Sequence, residues 1–174
     1  MSFAVWLTGL SGSGKSAVAQ ALLGLLHERG VEAARLESDA LRAMLTPFPR
    51  YDERERDAFY ETLSEFAGLL VGKDIPVVID ATANRRAYRD DARRRIARFM
   101  EVYVDTPLEI CEARDPKGLY RRARAGGAAT LPGLQAAYEP PRAPELVVHG
   151  DRGTPADSAA AVVDWLRRRG WIPE

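Results

Sequence analysis

One cysteine, two histidines and no surplus of either charge are all that this 174-residue sequence offers to the chemistries that depend on them. A lone Cys111 excludes an internal disulfide framework and any multi-cysteine metal site. Lys+Arg and Asp+Glu both number 25, so the net charge is zero. No global basic field holds nucleic acid by counterion release, which argues against a nucleic-acid partner. No apolar run approaches the length that crosses a bilayer, so no membrane attachment is expected. Met1-Ser2 leads directly into an apolar stretch without the charged leader of a secretory signal. The expectation is a soluble, cytoplasmic protein. Hydrophobic residues at 46% and charged residues at 29% are ordinary for a globular chain, and the length suits one domain spanning 1–174.

What is present is concentrated near the start. Phe3-Ala4-Val5-Trp6-Leu7-Thr8 reads as a buried strand, and Ala17 to Glu28 as a helix. Between them stands Gly9-Leu10-Ser11-Gly12-Ser13-Gly14-Lys15-Ser16, the full G-x-x-x-x-G-K-[ST] spacing of a phosphate-binding loop. Gly9, Gly12 and Gly14 let the backbone turn tightly, and the N–H groups around Ser11 and Ser13 converge on one point. The helix N-terminus adds partial positive charge there. Lys15 can neutralise β- and γ-phosphate oxygens, and the Ser16 hydroxyl can take Mg²⁺.

The rest of the chain alternates strands and helices. Strand candidates are 33–37, 75–80, 99–105 and 145–149; helix candidates begin at Ala40 and cover 52–71, 85–98, 108–113 and 156–169. Phe59, Leu63, Phe66 and Leu70 form the apolar face expected for the second of these, and the arginines of 85–98 read as a solvated outer face. Such alternation implies an α/β fold of the P-loop NTPase type: three layers, with a central parallel sheet flanked by helices. Ligands of such sheets sit beyond the carboxyl ends of the strands, so the loops after residues 8, 37, 80 and 105 carry the chemistry.

Asp39, at one of these ends, can accept a proton from an acceptor hydroxyl or bind Mg²⁺; a plain helix cap is its other use. Arg42 lies one helical turn on and can point into the same cleft. Asp80 is a further metal-side candidate, with capping of the 81–84 turn as its alternative. The segment 114–124 gathers five cations: Arg114, Lys117, Arg121, Arg122 and Arg124. Its polarity suits a mobile lid over about 114–133 rather than a core element. Closing such a lid would place positive charge on a phosphoryl-transfer transition state and exclude water.

Several of these stretches resemble the adenylyl-sulfate kinase family. The match is closest at Glu101-Val102-Tyr103-Val104-Asp105, Cys111-Glu112-Ala113-Arg114-Asp115-Pro116-Lys117-Gly118-Leu119-Tyr120 and Ala123-Arg124-Ala125-Gly126. Tyr138-Glu139-Pro140-Pro141 and the form of the phosphate loop agree with it. The resemblance implies transfer of the γ-phosphate of ATP, with Mg²⁺, to the 3′-hydroxyl of adenosine 5′-phosphosulfate, and a possible homodimer. It implies Asp39 as base or metal residue and Arg42 as substrate arginine. It further implies Phe48 as an aromatic on the substrate adenine, Arg54 as a substrate arginine, Lys117 as the lid lysine at the transferred phosphate and Arg114 near the ATP adenine.

Departures from the family pattern fall on the acceptor side. Glu37-Ser38-Asp39-Ala40 stands for Asp-Gly-Asp-Asn, Asp57-Ala58-Phe59-Tyr60 for Asn-Ile-Arg-Arg, and Ala83-Asn84-Arg85-Arg86 for Ser-Pro-Tyr-Arg. Leu131 occupies the place of the second ring of the adenine sandwich. A different hydroxyl acceptor, such as a polynucleotide 5′-end or a small metabolite, is therefore the rival expectation. A nucleotide-binding regulator without catalysis is the third.

Overall fold

Every residue of the first strand, β1 (Ala4–Thr8), is buried, and its side chains divide between two cores. Val5 and Leu7 pack with α1 (Lys15–His27) and α7 (Pro155–Arg168), while Ala4 and Trp6 pack with α3 (Glu53–Gly72) and α4 (Arg86–Arg95). The period of two along a strand makes this division possible. The computed structural model describes residues 2–46, 48–50, 52–127 and 130–173. Its sheet has the order β2-β3-β1-β4-β5, with β2 (Ala34–Glu37), β3 (Val77–Asp80), β4 (Phe99–Asp105) and β5 (Leu146–His149). Every pairing is parallel. Both faces are covered by helices, so the expected three-layer α/β architecture is observed.

Register decides what emerges at the carboxyl edge. Leu7 and Glu37 both pair with Asp80, so the ends of β1, β2 and β3 release the phosphate loop, Asp39 and the 81–84 turn side by side. Three shorter helices are found among the described residues: α2 (Ser38–Leu45), α5 (Leu108–Arg114) and α6 (Leu119–Arg124). Asp52 caps α3 by accepting from the Glu55 N–H at 2.8 Å, and Thr154 with Asp157 forms a reciprocal capping box at α7.

Three local expectations change. The arginine-rich helix is not solvated all round, since Arg89 is only 1% exposed. It donates to Glu101 at 2.6 Å, to the Glu139 carbonyl at 2.6 Å and to the Ala83 carbonyl. Phe66 is 41% exposed, and the inner face of α3 runs through Phe59, Tyr60, Leu63 and Ala67 instead. The segment after Arg114 has a small core of its own. Tyr120 and Ala123 bury against Cys111 and Leu131, because α6 turns its apolar residues back toward α5.

Candidate active site

Local sequence makes the phosphate loop an anion trap. Gly14 precedes α1 with φ 103° and offers no side-chain cap, so the first-turn amides are left for a ligand. Gly12 stands at φ 77°, and a Cβ there would lie 2.7 Å from the Cys111 carbonyl. Gly9 admits none either, with the Val104 carbonyl 2.5 Å from the Cβ position. The loop is pinned from outside by three side chains. Thr106 Oγ1 donates to the Ser13 carbonyl at 2.9 Å, Tyr120 Oη to the Ser11 carbonyl at 2.7 Å, and Arg114 to the carbonyls of Gly12 and Gly150 at 3.3 and 2.8 Å. Arg114 therefore bridges the loop and the segment after β5. Gly150 approaches so closely that a Cβ would sit 1.9 Å from the Ser13 carbonyl.

Lys15 folds into the loop it follows, and Nζ donates to the Leu10 carbonyl at 2.8 Å. Burial pulls its ammonium from the ordinary 10.5 down to about 8; the Asp80 carboxylate opposes that shift and Lys117 adds to it. Asp80, 3% exposed, is held by Arg35 at 2.9 Å across β2 and β3.

A cavity of about 370 Å³ opens over this loop. Ser11, Gly12, Gly14, Lys15 and Ser16 form its floor, and Asp39, Arg42, Asp80, Arg114, Lys117 and Leu131 reach it from four other segments. Ser13 lies beneath, fully buried, with its Oγ unpartnered. Asp39 sits in the first turn of α2, where no side chain makes a cap bond, so it is free of the capping role. It accepts a hydrogen bond from Lys117 of the segment between α5 and α6. Arg42 lies 4.1 Å over the Phe59 ring and 3.6 Å from Glu55.

Two expected acceptor residues lie elsewhere. Phe48 is 90% exposed, and Arg54 points to solvent on α3; neither lines this cavity. In their place Arg56 and Tyr60 do, with Thr82 and Asn84. Arg56 also donates to the Thr130 carbonyl at 2.9 Å. The overlooked signal was helical spacing, because Arg56, Tyr60 and Leu63 share one face of α3 and Arg54 does not.

The oxygen donors suit a hard cation that arrives with phosphate. Ser16, Asp39 and Asp80 present a hydroxyl and two carboxylates at the cavity. Among the described residues no group of three or more His, Cys, Asp or Glu side chains could hold a metal ion unaided. Mg²⁺ needs few protein ligands when phosphate oxygens share its shell, so this set fits it.

Comparison with known proteins agrees with this geometry. The family model for adenylylsulphate kinase matches residues 1–149. The adenylyl-sulfate kinase of Halothermothrix orenii is 40% identical over 168 residues, covering 97% of this chain and 91% of its own. That of Microcystis aeruginosa is 38% identical over 168 residues, covering 97% and 93%. A Mycobacterium tuberculosis APS kinase, solved in complex with AMPPNP and APS, superposes with a TM-score of 0.89 at 38% identity, covering 95% of this chain and 98% of that one. The phosphate loop, the Cys111-to-Tyr120 stretch and the parallel sheet thus have a common explanation: this chain belongs to the adenylylsulphate kinase family.

Proposed function

We propose that the protein transfers the γ-phosphate of ATP to the 3′-hydroxyl of adenosine 5′-phosphosulfate, giving ADP and 3′-phosphoadenosine 5′-phosphosulfate. The observation that carries this reading is the convergence of Lys15, Asp39 and Lys117 on one cavity over the phosphate loop. The loop amides and Lys15 hold the β- and γ-phosphates, and Arg114 stands at the donor end. Asp39 accepts the proton of the 3′-hydroxyl as its oxygen bonds to the γ-phosphorus and the bond to the bridging oxygen breaks. Lys117 shifts from Asp39 to the transferring phosphoryl group and offsets charge gathering on its equatorial oxygens. Arg42 and Arg56 face the acceptor, with Leu131 on its other side; Phe48 and Arg54 join them only if the exposed segment around residue 48 folds inward.

Mg²⁺ would be held by Ser16 and the nucleotide phosphates, with Asp39 or Asp80 beside it, and would neutralise phosphate charge. The proposal includes a single domain over 1–174 whose lid, about 114–133, closes when both substrates are bound. A homodimer and a cytoplasmic setting follow from the same reading; light scattering of the purified protein tests the first. No helix among the described residues is long and apolar enough to cross a membrane.

The test is ADP release by the purified protein with ATP, Mg²⁺ and adenylyl sulfate. Turnover is expected, and an Asp39→Asn variant should reduce it by about a thousandfold, within the range for a general base combined with lost positioning. Turnover no greater than in that variant overturns the acceptor assignment. Polynucleotide 5′-ends and small hydroxy metabolites in the same assay would then identify the rival phosphotransferase.

A further inference from the structure

The acceptor half of the cavity contains a phenol that the family pattern does not supply. Tyr60 is 5% exposed, and it lines the cavity from the inner face of α3. Its ring is fixed on several sides. It stacks on Tyr88 with centroids 4.5 Å apart, meets Phe59 edge-on at 5.3 Å and lies 6.4 Å from Trp6. A ring so enclosed delivers its hydroxyl to one place.

That place is defined by the hydroxyl's own bonding. Tyr60 Oη accepts the Ala83 N–H at 2.9 Å. Ala83 stands at φ 43°, an unusual conformation for a residue with a side chain, and Arg89 holds its carbonyl from the far side. The oxygen is thus engaged by the backbone, while its proton has no acceptor among the described residues. A buried O–H without an acceptor is costly, so the arrangement is complete only when something accepts that proton. Burial also holds the phenol above its ordinary value, so it stays a donor throughout the physiological range. The charges of Arg42, Arg56 and Asp39 all act on this hydroxyl. Arg42 and Arg56 line the same cavity and place guanidinium groups beside the hydroxyl where an anion would sit.

We infer that Tyr60 Oη donates a hydrogen bond to an anionic oxygen of the acceptor's phosphosulfate, and that Tyr60 is a specificity-determining residue of this chain. The inference rests on the proposed adenylyl-sulfate kinase reading. It assigns to one neutral hydroxyl, backed by Arg42 and Arg56, part of the anion recognition left open by the altered acceptor motifs. Donation from a neutral group suits a site that must also keep Asp39 available as a base, because a third guanidinium there would draw the carboxylate away.

The experiment compares the wild type with Tyr60→Phe and Tyr88→Phe, using ADP release and thermal melting. Tyr88 is the control because its hydroxyl is already committed to Asp57, at 2.5 Å. Tyr60→Phe should raise KM for adenylyl sulfate by roughly ten- to a hundredfold, as expected for a hydrogen bond to a charged group. KM for ATP should stay within about twofold, and inhibition by adenosine, which carries no anionic oxygen, should not change. Tyr88→Phe should behave as wild type. Equal losses toward ATP, adenosine and adenylyl sulfate, or a lower melting temperature with proportionate losses, would show that Tyr60 merely supports the Ala83 turn. Wild-type kinetics in Tyr60→Phe would overturn the inference and leave the kinase reading standing. A wild type that releases no ADP with adenylyl sulfate would remove both.

Discussion

Lys117 Nζ donates to the Asp39 carboxylate across the mouth of the cavity, so the two side chains hold one another. The two side chains are 47% and 59% exposed, and a pair so open to water adds less than about 1 kcal/mol to folding. Its importance lies in exchange. In the proposed reaction a γ-phosphate, which carries more negative charge than one carboxylate, would draw Lys117 away and leave Asp39 uncompensated when an acceptor hydroxyl needs a base. Lys117→Ala is therefore expected to lower kcat about a hundredfold or more while the melting temperature stays within about 2 °C of wild type. Steady-state kinetics beside a thermal melt checks both.

Lys15 should behave in the opposite way. Its folded-state value near 8 lies below the 10.5 of a free lysine, so between these limits the unfolded chain binds more protons than the native one. Stability consequently rises with pH through that window, and below pH 8 the native state bears the full cost of a charged buried lysine. The gap between those two values corresponds to about 3 kcal/mol. Lys15→Met should abolish ATP binding and stabilise the nucleotide-free protein by about 1 to 3 kcal/mol at pH 7. That gain should shrink as pH approaches 10.5, as urea titrations across pH would reveal. Wild-type protein should also take up a proton on binding ATP above pH 8, seen as a buffer-dependent heat in calorimetry.

Arg54 and Arg56 provide a direct contest between sequence register and geometry. Two residues apart on α3, they face in nearly opposite directions, and only Arg56 lines the cavity. Arg56→Ala should raise KM for adenylyl sulfate at least tenfold, whereas Arg54→Ala should change it less than threefold. Equal effects would mean that the start of α3 rearranges when the acceptor binds.

Arg89 should be among the costliest side chains to lose. It is 1% exposed and meets an 8% exposed Glu101, so Arg89→Met strands a carboxylate in the interior. Arg93 reaches Glu101 at 3.4 Å and offsets part of that loss. A destabilisation of about 3 kcal/mol is expected, recovered in part by the double change with Glu101→Gln. Chemical denaturation of the three variants measures it.

These cases show what the chain revealed before folding. The loop from Gly9 to Ser16, the alternation of strands and helices and the apolar face at Leu63 were legible because each depends on neighbours in sequence. Arg89 was not, since a cation in an arginine-rich helix is ordinarily solvated, and only the return of Glu139 and the approach of Glu101 enclose it. Gly150 was equally silent. It lies outside any motif, and its need to be glycine arises from contact with Ser13, far away in sequence. Arg56 went unnamed for a smaller reason: the resemblance pointed to Arg54, and two residues along a helix turn a side chain from solvent to cavity.

The packing of α7 on the sheet has a consequence for the order in which the protein comes into being. Val18, Ala19, Leu22 and Leu26 of α1 share one core with Ala159, Val162, Val163 and Leu166 of α7. During synthesis β1, the phosphate loop and α1 emerge first, and α7 emerges last of all these elements. Until it does, the helix that aims the loop's amides rests on the sheet through Val5 and Leu7 but lacks its partner helix. The stretch that first declares itself in the sequence thus opens a helix that is packed in part by residues beyond 149, past the family match.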